Sequence, residues 1–194
     1  MKLCFASNNE HKLAEIRQII GDAYQVVSLQ EIGCTEELPE EQTTLEGNSL
    51  QKAEYVWQHY GVSCFTDDTG LEVFALNGEP GVYSARYAGP QRSSTDNMAL
   101  LLQNMADKTD RRAQFRTSIT LILAGDIHQF EGVVTGQIAK NLAGGVGFGY
   151  DPLFIPDGFS QTFAQMSPAE KNKISHRGRA MQQLVAFLKN QKFE

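Results

Sequence analysis

Two adjacent carboxylates are the first sign of chemistry in this chain. Asp67 and Asp68 lie within Cys64-Phe65-Thr66-Asp67-Asp68-Thr69-Gly70-Leu71-Glu72-Val73. Residues 62–66 read as a short buried strand, and the apolar pattern resumes at Leu71. Carboxylates side by side at the end of such a strand repel each other, and desolvation adds to that cost. A hard divalent cation such as Mg²⁺ relieves it, because it takes oxygen ligands and keeps several waters. Asp, Thr and Gly also favour turns, so a plain solvated turn fits the same residues. The rest of the chain has to decide between the two.

Three further segments carry groups that could act on a ligand. Ser7-Asn8-Asn9-Glu10-His11-Lys12 stands between a short apolar strand and a helix, where free backbone N–H groups favour a phosphate. Simple capping by Ser or Asn accounts for the same polar residues, and there is no Walker glycine pattern. Glycines flank Phe148 in Gly147-Phe148-Gly149-Tyr150-Asp151, leaving the ring open to a planar partner and Asp151 able to accept N–H donors. A flexible loop with one buried aromatic is the plainer reading. Lys171, Lys173, His176, Arg177 and Arg179 crowd into nine residues of an otherwise acidic chain. They read as a solvated charge run or as an anion cleft.

Stepping out to the whole chain, 17 basic and 23 acidic side chains leave a net charge of −6 over 194 residues. A protein that coats nucleic acid needs a basic stripe, so a polymeric nucleic-acid partner is not expected. Hydrophobic residues make up 41% and charged residues 21%, an ordinary globular composition. Cys4, Cys34 and Cys64 are odd in number and widely spaced, form no metal pattern, and point to a reducing compartment. No apolar run approaches a membrane span, and the cytoplasm is the expected location.

The elements that must position these groups follow from periodicity. Residues 1–6 read as a strand; Leu13, Ile16, Ile19 and Ile20 recur at helical spacing, with Gly21 closing that helix. Residues 24–29 read as a strand, and residues 30–42 as an acidic loop in which one of Glu31, Glu36, Glu37, Glu40 and Glu41 could reach a metal, the others being solvated surface. Thr43-Thr44-Leu45-Glu46 reads as a capping box opening a helix that ends at Gly61. That helix puts Asn48 and Lys52 on one face. A long loop is expected over residues 77–90, then a helix over 96–105. Alternation over residues 113–124 and 127–139 predicts a hairpin turning at Gly125-Asp126. Ser167-Pro168-Ala169-Glu170 is a second capping box, and a helix is expected over residues 177–190. No repeat and no linker divides the chain, so residues 1–194 read as a single domain.

Taken together and in this order, four segments resemble the inosine triphosphatase family: Ser7-Asn8-Asn9-Glu10-His11-Lys12, Asp67-Asp68-Thr69-Gly70-Leu71, Phe148-Gly149-Tyr150-Asp151-Pro152 and Ser175-His176-Arg177-Gly178. Residues 48–53, Pro80-Gly81-Val82-Tyr83-Ser84-Ala85-Arg86-Tyr87 and Glu170-Lys171 support the match. Thr69 stands where the family usually has Ser, which keeps the hydroxyl. Gly47 stands where an acidic residue commonly precedes the Asn.

The resemblance implies an α/β fold with an elongated, long mixed β-sheet, flanking helices and two lobes, the active-site cleft lying between the lobes. It implies a homodimer and a Mg²⁺-dependent hydrolysis of ITP, dITP and XTP to the monophosphate and pyrophosphate, clearing deaminated purines from the nucleotide pool. By resemblance, Ser7, Asn8, Asn9, Glu10, His11, Lys12, Lys52 and Thr69 would bind the substrate, with Asn9 and Lys12 gripping the triphosphate and Lys52 neutralising pyrophosphate as it leaves. Asp68 would hold Mg²⁺ and serve as general base, Asp67 would ligate or orient it, and Glu40 would add a ligand. Phe148, Gly149, Tyr150 and Asp151 would hold the purine by stacking and hydrogen bonding, with Lys171, His176 and Arg177 donating toward its 6-keto oxygen. A related pyrophosphatase with another base preference and a nucleotide sensor without turnover are the competing readings.

Overall fold

A computed structural model of the chain describes residues 2–20 and 24–191. The closing role expected of Gly21 lies outside the described residues. The elements are β1 (Lys2–Phe5), α1 (Glu10–Ile20), β2 (Gln25–Val27), α2 (Leu45–Tyr60), β3 (Cys64–Val73), β4 (Pro80–Gly81), α3 (Ser94–Asn104), β5 (Arg112–Leu123), β6 (Asp126–Ile138), β7 (Phe154–Pro156), α4 (Pro168–Ile174) and α5 (His176–Asn190). The fold is mixed α/β, with a sheet in the order β2-β1-β3-β5-β6-β7 and β4 paired to β3. Among the described residues no helix is long and apolar enough to cross a membrane.

The chain forms two compact units. The first comprises Met1–Asp68, Thr117–Gly132 and Arg177–Glu194; the second comprises Thr69–Arg116 and Val133–His176. In the first unit β1 is central and pairs in parallel with both β2 and β3. The chain therefore steps one way from β1 to β2 through α1, and back across β1 from β2 to β3 through α2. Parallel crossovers are right-handed, so reversing the step puts the two helices on opposite faces. The packing agrees. Leu3, Phe5 and Phe65 lie with Ile16 of α1 and Met181 and Leu184 of α5, whereas Cys4, Ala6 and Cys64 lie with Ala53 and Val56 of α2.

In the second unit one core gathers Leu71, Val73, Leu101, Phe115, Leu153, Phe154 and Phe163. Ser84 ties three of its segments together. Its hydroxyl accepts from Leu71 N at 2.8 Å and donates to Gly81 O at 2.6 Å, and its carbonyl accepts the Tyr150 hydroxyl at 2.9 Å.

Several boundaries differ from the sequence expectation, each for a local reason. Residues 67–70 are not a turn: β3 runs unbroken from Cys64 to Val73. The expected break is overridden because Asp67 is neutralised from the side and because Gly70 lets a second backbone come close. A Cβ at Gly70 would stand 2.6 Å from Gly81 O. Helix α2 is capped by Thr44, not Thr43, its side chain accepting from Gly47 N. That shift puts Gly47 at the third helical position, where it has no side chain to complete a capping box. The hairpin turns at Ala124-Gly125, both with positive φ, the geometry that matches strand twist. The 77–90 loop holds β4 and a one-turn helix, Ser84–Arg86. The expected Ser167 capping box, with Pro168 at the helix start, is present.

All three cysteines are buried thiols, with Cys4 and Cys64 register partners on β1 and β3. Burial pushes both of these thiols up to about 12.

Gly70→Ala is expected to lower the stability of the protein by about 1–3 kcal/mol, the usual cost of overpacking, in equilibrium urea unfolding. A second expectation concerns Glu36, whose Oε1 accepts from the hydroxyls of Tyr60 at 2.6 Å and Tyr55 at 3.1 Å. The Tyr60 bond foremost holds its carboxyl down to about 2. A depressed carboxyl stabilises the fold above its unfolded value and loses that contribution as pH falls toward its folded value. Glu36→Gln should therefore be less stable than wild type at pH 7, with the gap closing from about pH 4.5 downward toward pH 2. Denaturant midpoints across that range check it; a gap that stays constant contradicts it.

Candidate active site

The first unit concentrates charge around β3. Asp67 is 1% exposed, and both its oxygens are bound: Oδ1 by Lys12 Nζ at 3.0 Å and Oδ2 by Arg177 Nε at 3.2 Å. Arg177, itself 1% exposed, also donates through Nη1 to Glu15 of α1. Burial alone would raise the Asp67 carboxyl; Lys12, Arg177 and Lys52 outweigh it and hold the group well below the usual carboxylate range. Lys12 is pulled below its ordinary value by burial in spite of Asp67. Lys12 is placed by α1, whose start is fixed by Asn9: its Oδ1 accepts from Lys12 N at 3.1 Å, and Ser7 Oγ accepts from Asn9 N at 3.2 Å. The capping expected at this segment is thus present, with Asn8, Glu10 and His11 exposed around it.

Successive residues of a strand point to opposite faces, so Asp68 looks toward α2. There Asn48 Nδ2 donates to Asp68 Oδ2 at 3.1 Å, and Lys52 Nζ stands 3.5 Å from Asp68 Oδ1. Lys52 also donates to Glu40 Oε1 and to Asp67 O, both at 2.8 Å. Burial raises the Asp68 carboxyl above its ordinary value, with Glu40 adding to the shift and Lys52 and Lys12 opposing it. Burial works against the Lys52 ammonium, yet Asp68, Glu40 and Asp67 together hold its pKa above the ordinary value. Two neighbouring carboxyls thus behave differently: Asp67 is held down by its cations, and Asp68 is raised by burial.

Among the described residues no group of three or more His, Cys, Asp or Glu side chains forms a metal site. The donor chemistry still fits Mg²⁺ at one place. Asp68 and Glu40 flank the Lys52 ammonium, two hard-oxygen carboxylates around a site of positive charge, and Mg²⁺ needs only one or two carboxylates beside its waters. Asp67, with both oxygens on cations, fits the orienting role and not that of a ligand.

The second unit assembles a different set. Asp151 Oδ2 accepts from Phe148 N at 2.9 Å and from Lys171 Nζ at 2.7 Å. The Lys171 ammonium stands 5.0 Å from the Phe148 ring centroid, over its face. Gly147 has φ +91 and passes against the Asp151 carboxylate, which leaves no room for a side chain. His176 stacks on Phe115 of β5, with ring centroids 4.6 Å apart and planes 17° apart. Tyr150 is buried in the core and Thr69 half-buried on β3.

The structure therefore brings Lys12, Lys52, Asp67, Asp68, Glu40 and Arg177 together in the first unit, and Phe148, Gly149, Asp151 and Lys171 in the second. Arg177, expected to donate toward a base, is bound by Asp67 and Glu15. Glu15 went unread in the sequence, and the contacts of Phe115 and Ser84 were not foreseen. Glu15 had a signal, standing three residues after Lys12 on one helix face; Phe115 and Ser84 had none, since their partners are distant in the chain.

Residues 3–187 match the Ham1 family. A curated relative from Flavobacterium psychrophilum, named dITP/XTP pyrophosphatase, is 53% identical over 98% of this chain and 100% of its own length. One of the same name from Staphylococcus aureus is 41% identical over 98% of each chain. The solved structure of the Staphylococcus aureus Ham1 protein superposes with a TM-score of 0.90 at 40% identity, covering 99% of this chain and 100% of that one. A HAM1 protein from Coxiella burnetii gives 0.90 at 34% identity, covering 98% and 100%. With the family matched over nearly its whole length, and with relatives this similar end to end, the chain belongs to the Ham1 family.

Proposed function

We propose that the protein is a Mg²⁺-dependent nucleoside triphosphate pyrophosphatase that converts ITP, dITP and XTP to the monophosphate and pyrophosphate. It would work in the cytoplasm as a homodimer and remove deaminated purines before they are incorporated. The observation that carries the reading is the arrangement of the paired carboxyls on β3: Asp67 bound on both oxygens by Lys12 and Arg177, and Asp68 on the other face beside Asn48 and Lys52. The family's relatives named dITP/XTP pyrophosphatase support the substrate class.

In this reading Asp68 takes the proton of the attacking water as its oxygen bonds to the α-phosphorus. The bond from that phosphorus to the α–β bridging oxygen breaks, and the bridging oxygen leaves with the pyrophosphate. A carboxylate positioned within reach of the attacking water can accept that proton as general base. Lys52 places positive charge where it accumulates on the departing group, and Lys12 and the α1 start take the phosphate oxygens. Mg²⁺ would be held by Asp68 and Glu40 and supplies, when bound, neutralisation of the phosphate charge. Phe148 offers its face to the purine, Asp151 accepts from a ring N–H, and Lys171 and His176 donate toward a 6-keto oxygen. Adenine carries a donor at that position, so a donor set there disfavours it by leaving polar groups unpaired.

Pyrophosphate release from ITP, XTP, GTP and ATP, each with Mg²⁺ and with a chelator, tests the reading. Rapid metal-dependent release from ITP and XTP with ATP nearly inert is expected. Equal release from all four would remove the base-reading assignment, and no release would leave a nucleotide-binding protein. Asp68→Asn keeps the shape and the Asn48 contact but loses the base, so turnover should fall by about 10²–10⁴-fold while ITP binding persists. Turnover within a few-fold of wild type would remove Asp68 from its role.

A further inference from the structure

Residues 36–42, which have no regular secondary structure, lie along α2 as a strap, running opposite to the helix and tied to it by side chains. Glu36 Oε1 accepts from Tyr60 OH at 2.6 Å and Tyr55 OH at 3.1 Å. Glu40 Oε1 takes Lys52 Nζ at 2.8 Å. Gln51 Oε1 accepts from Glu41 N at 3.0 Å, and Asn48 Oδ1 accepts from Gln42 N at 2.9 Å. As the strap advances from Glu36 to Gln42, its partners on the helix retreat from Tyr60 to Asn48.

The spacing of these ties is that of two matched rulers. Four strap residues separate Glu36 from Glu40, and eight helix residues separate Tyr60 from Lys52. Two strap residues separate Glu40 from Gln42, and four helix residues separate Lys52 from Asn48. An extended residue advances about 3.3 Å and two helical residues about 3.0 Å. One strap residue therefore keeps step with two helix residues along the whole contact. A slip by one residue would carry the Glu40 carboxylate about 3.3 Å along the helix, beyond the window in which it meets Lys52 as a hydrogen bond.

We propose that Glu36, gripped by Tyr55 and Tyr60, is a positioning residue that sets this register and so delivers Glu40 to Lys52 and Asp68. The inference rests on the reading of Glu40 as part of the metal-binding pair. The Glu36 carboxylate touches none of the reacting groups; it acts through four residues of chain. The strap includes Pro39, whose fixed φ narrows the conformations open to that chain. The clamp is charge-assisted, with two hydroxyl donors on one carboxylate oxygen, the stronger class of hydrogen bond. The far end of the strap is set by the Asn48 and Gln51 side chains. Asn48 is the same residue that donates to Asp68, so strap register and Asp68 geometry share one helix turn.

The test uses the whole protein and two measurements. The first is hydrogen exchange of the Glu41 and Gln42 amides in wild type, Glu36→Ala, Glu36→Gln and the double variant Tyr55→Phe/Tyr60→Phe. The second is the Mg²⁺ concentration giving half-maximal pyrophosphate release from ITP. Exchange at both amides should quicken by about tenfold or more in Glu36→Ala and in the tyrosine pair. The Mg²⁺ midpoint should rise by about 10-fold or more, the order expected for a residue that orients a metal ligand. KM for ITP at saturating Mg²⁺ should stay within about twofold, since no uniform-binding contact is lost. Glu36→Gln, which keeps an acceptor oxygen, should fall between wild type and Glu36→Ala. Unchanged exchange in Glu36→Ala overturns the proposal, as does quicker exchange with an unmoved midpoint. Should wild type release no pyrophosphate from ITP, the functional reading falls, and exchange at the two amides alone decides whether Glu36 sets the strap.

Discussion

A carboxylate with cations on both oxygens, set in the middle of a strand, is the constraint that organises the first unit. Burying an ion costs several kcal/mol even after relaxation, and good geometry with several partners is what offsets it. Asp67 has that geometry, with Lys12 on one oxygen and Arg177 on the other. Glu15 then balances the second cation, Arg177, closing a set of two cations and two anions. Lys12 and Glu15 arrive on α1 and Arg177 on α5, so both helices are keyed to one position of β3. Taking away any one of the four would upset the charge balance around Asp67 and Arg177, whose side chains are almost wholly buried.

The opposite face of the same strand is where groups are left able to react. The reversal of the chain about β1 puts α2 on that face, and the strand alternation turns Asp68 toward it. Hydroxyls seat α2 here as well as methyl groups: Ser49 Oγ lies 2.8 Å from Thr120 Oγ1, and Thr66 Oγ1 donates to Ser49 O at 2.6 Å. Directional bonds of this kind fix the height and rotation of a helix more closely than apolar contact does. Asn48 and Lys52 flank Ser49 on the same helix, and they are the side chains that meet Asp68.

Much of this was legible in the sequence because it is local. The 3.6 period of α1, α2 and α5, the alternation of β5 and β6, the Ser167 cap and the Gly61 stop all act within a few residues. The four chemistry-bearing segments were legible by type and order. The continuity of β3 was not, because Asp, Thr and Gly have turn preferences, and the side charges that override them come from residues far along the chain. The cap of α2 was misplaced by one residue because Thr43 and Thr44 both fit the pattern, and only the backbone decides between them. Arg177 read as a group for a ligand, since nothing near it in sequence announces Asp67. The ties of Glu36 to Tyr55 and Tyr60 were hidden for the same reason.

The three cysteines have a consequence for the chain's own chemistry. Cys4, Cys34 and Cys64 share one apolar cluster beneath α2, and burial raises two of them to about 12. At neutral pH such a thiol stays protonated, and the thiolate is the species that reacts. Electrophiles and oxidants therefore meet little usable sulfur while the sheet is closed. Opening β1 from β3 would expose the neighbouring sulfurs of Cys4 and Cys64 together, so the pair would serve as a chemical witness of the parting of these two strands.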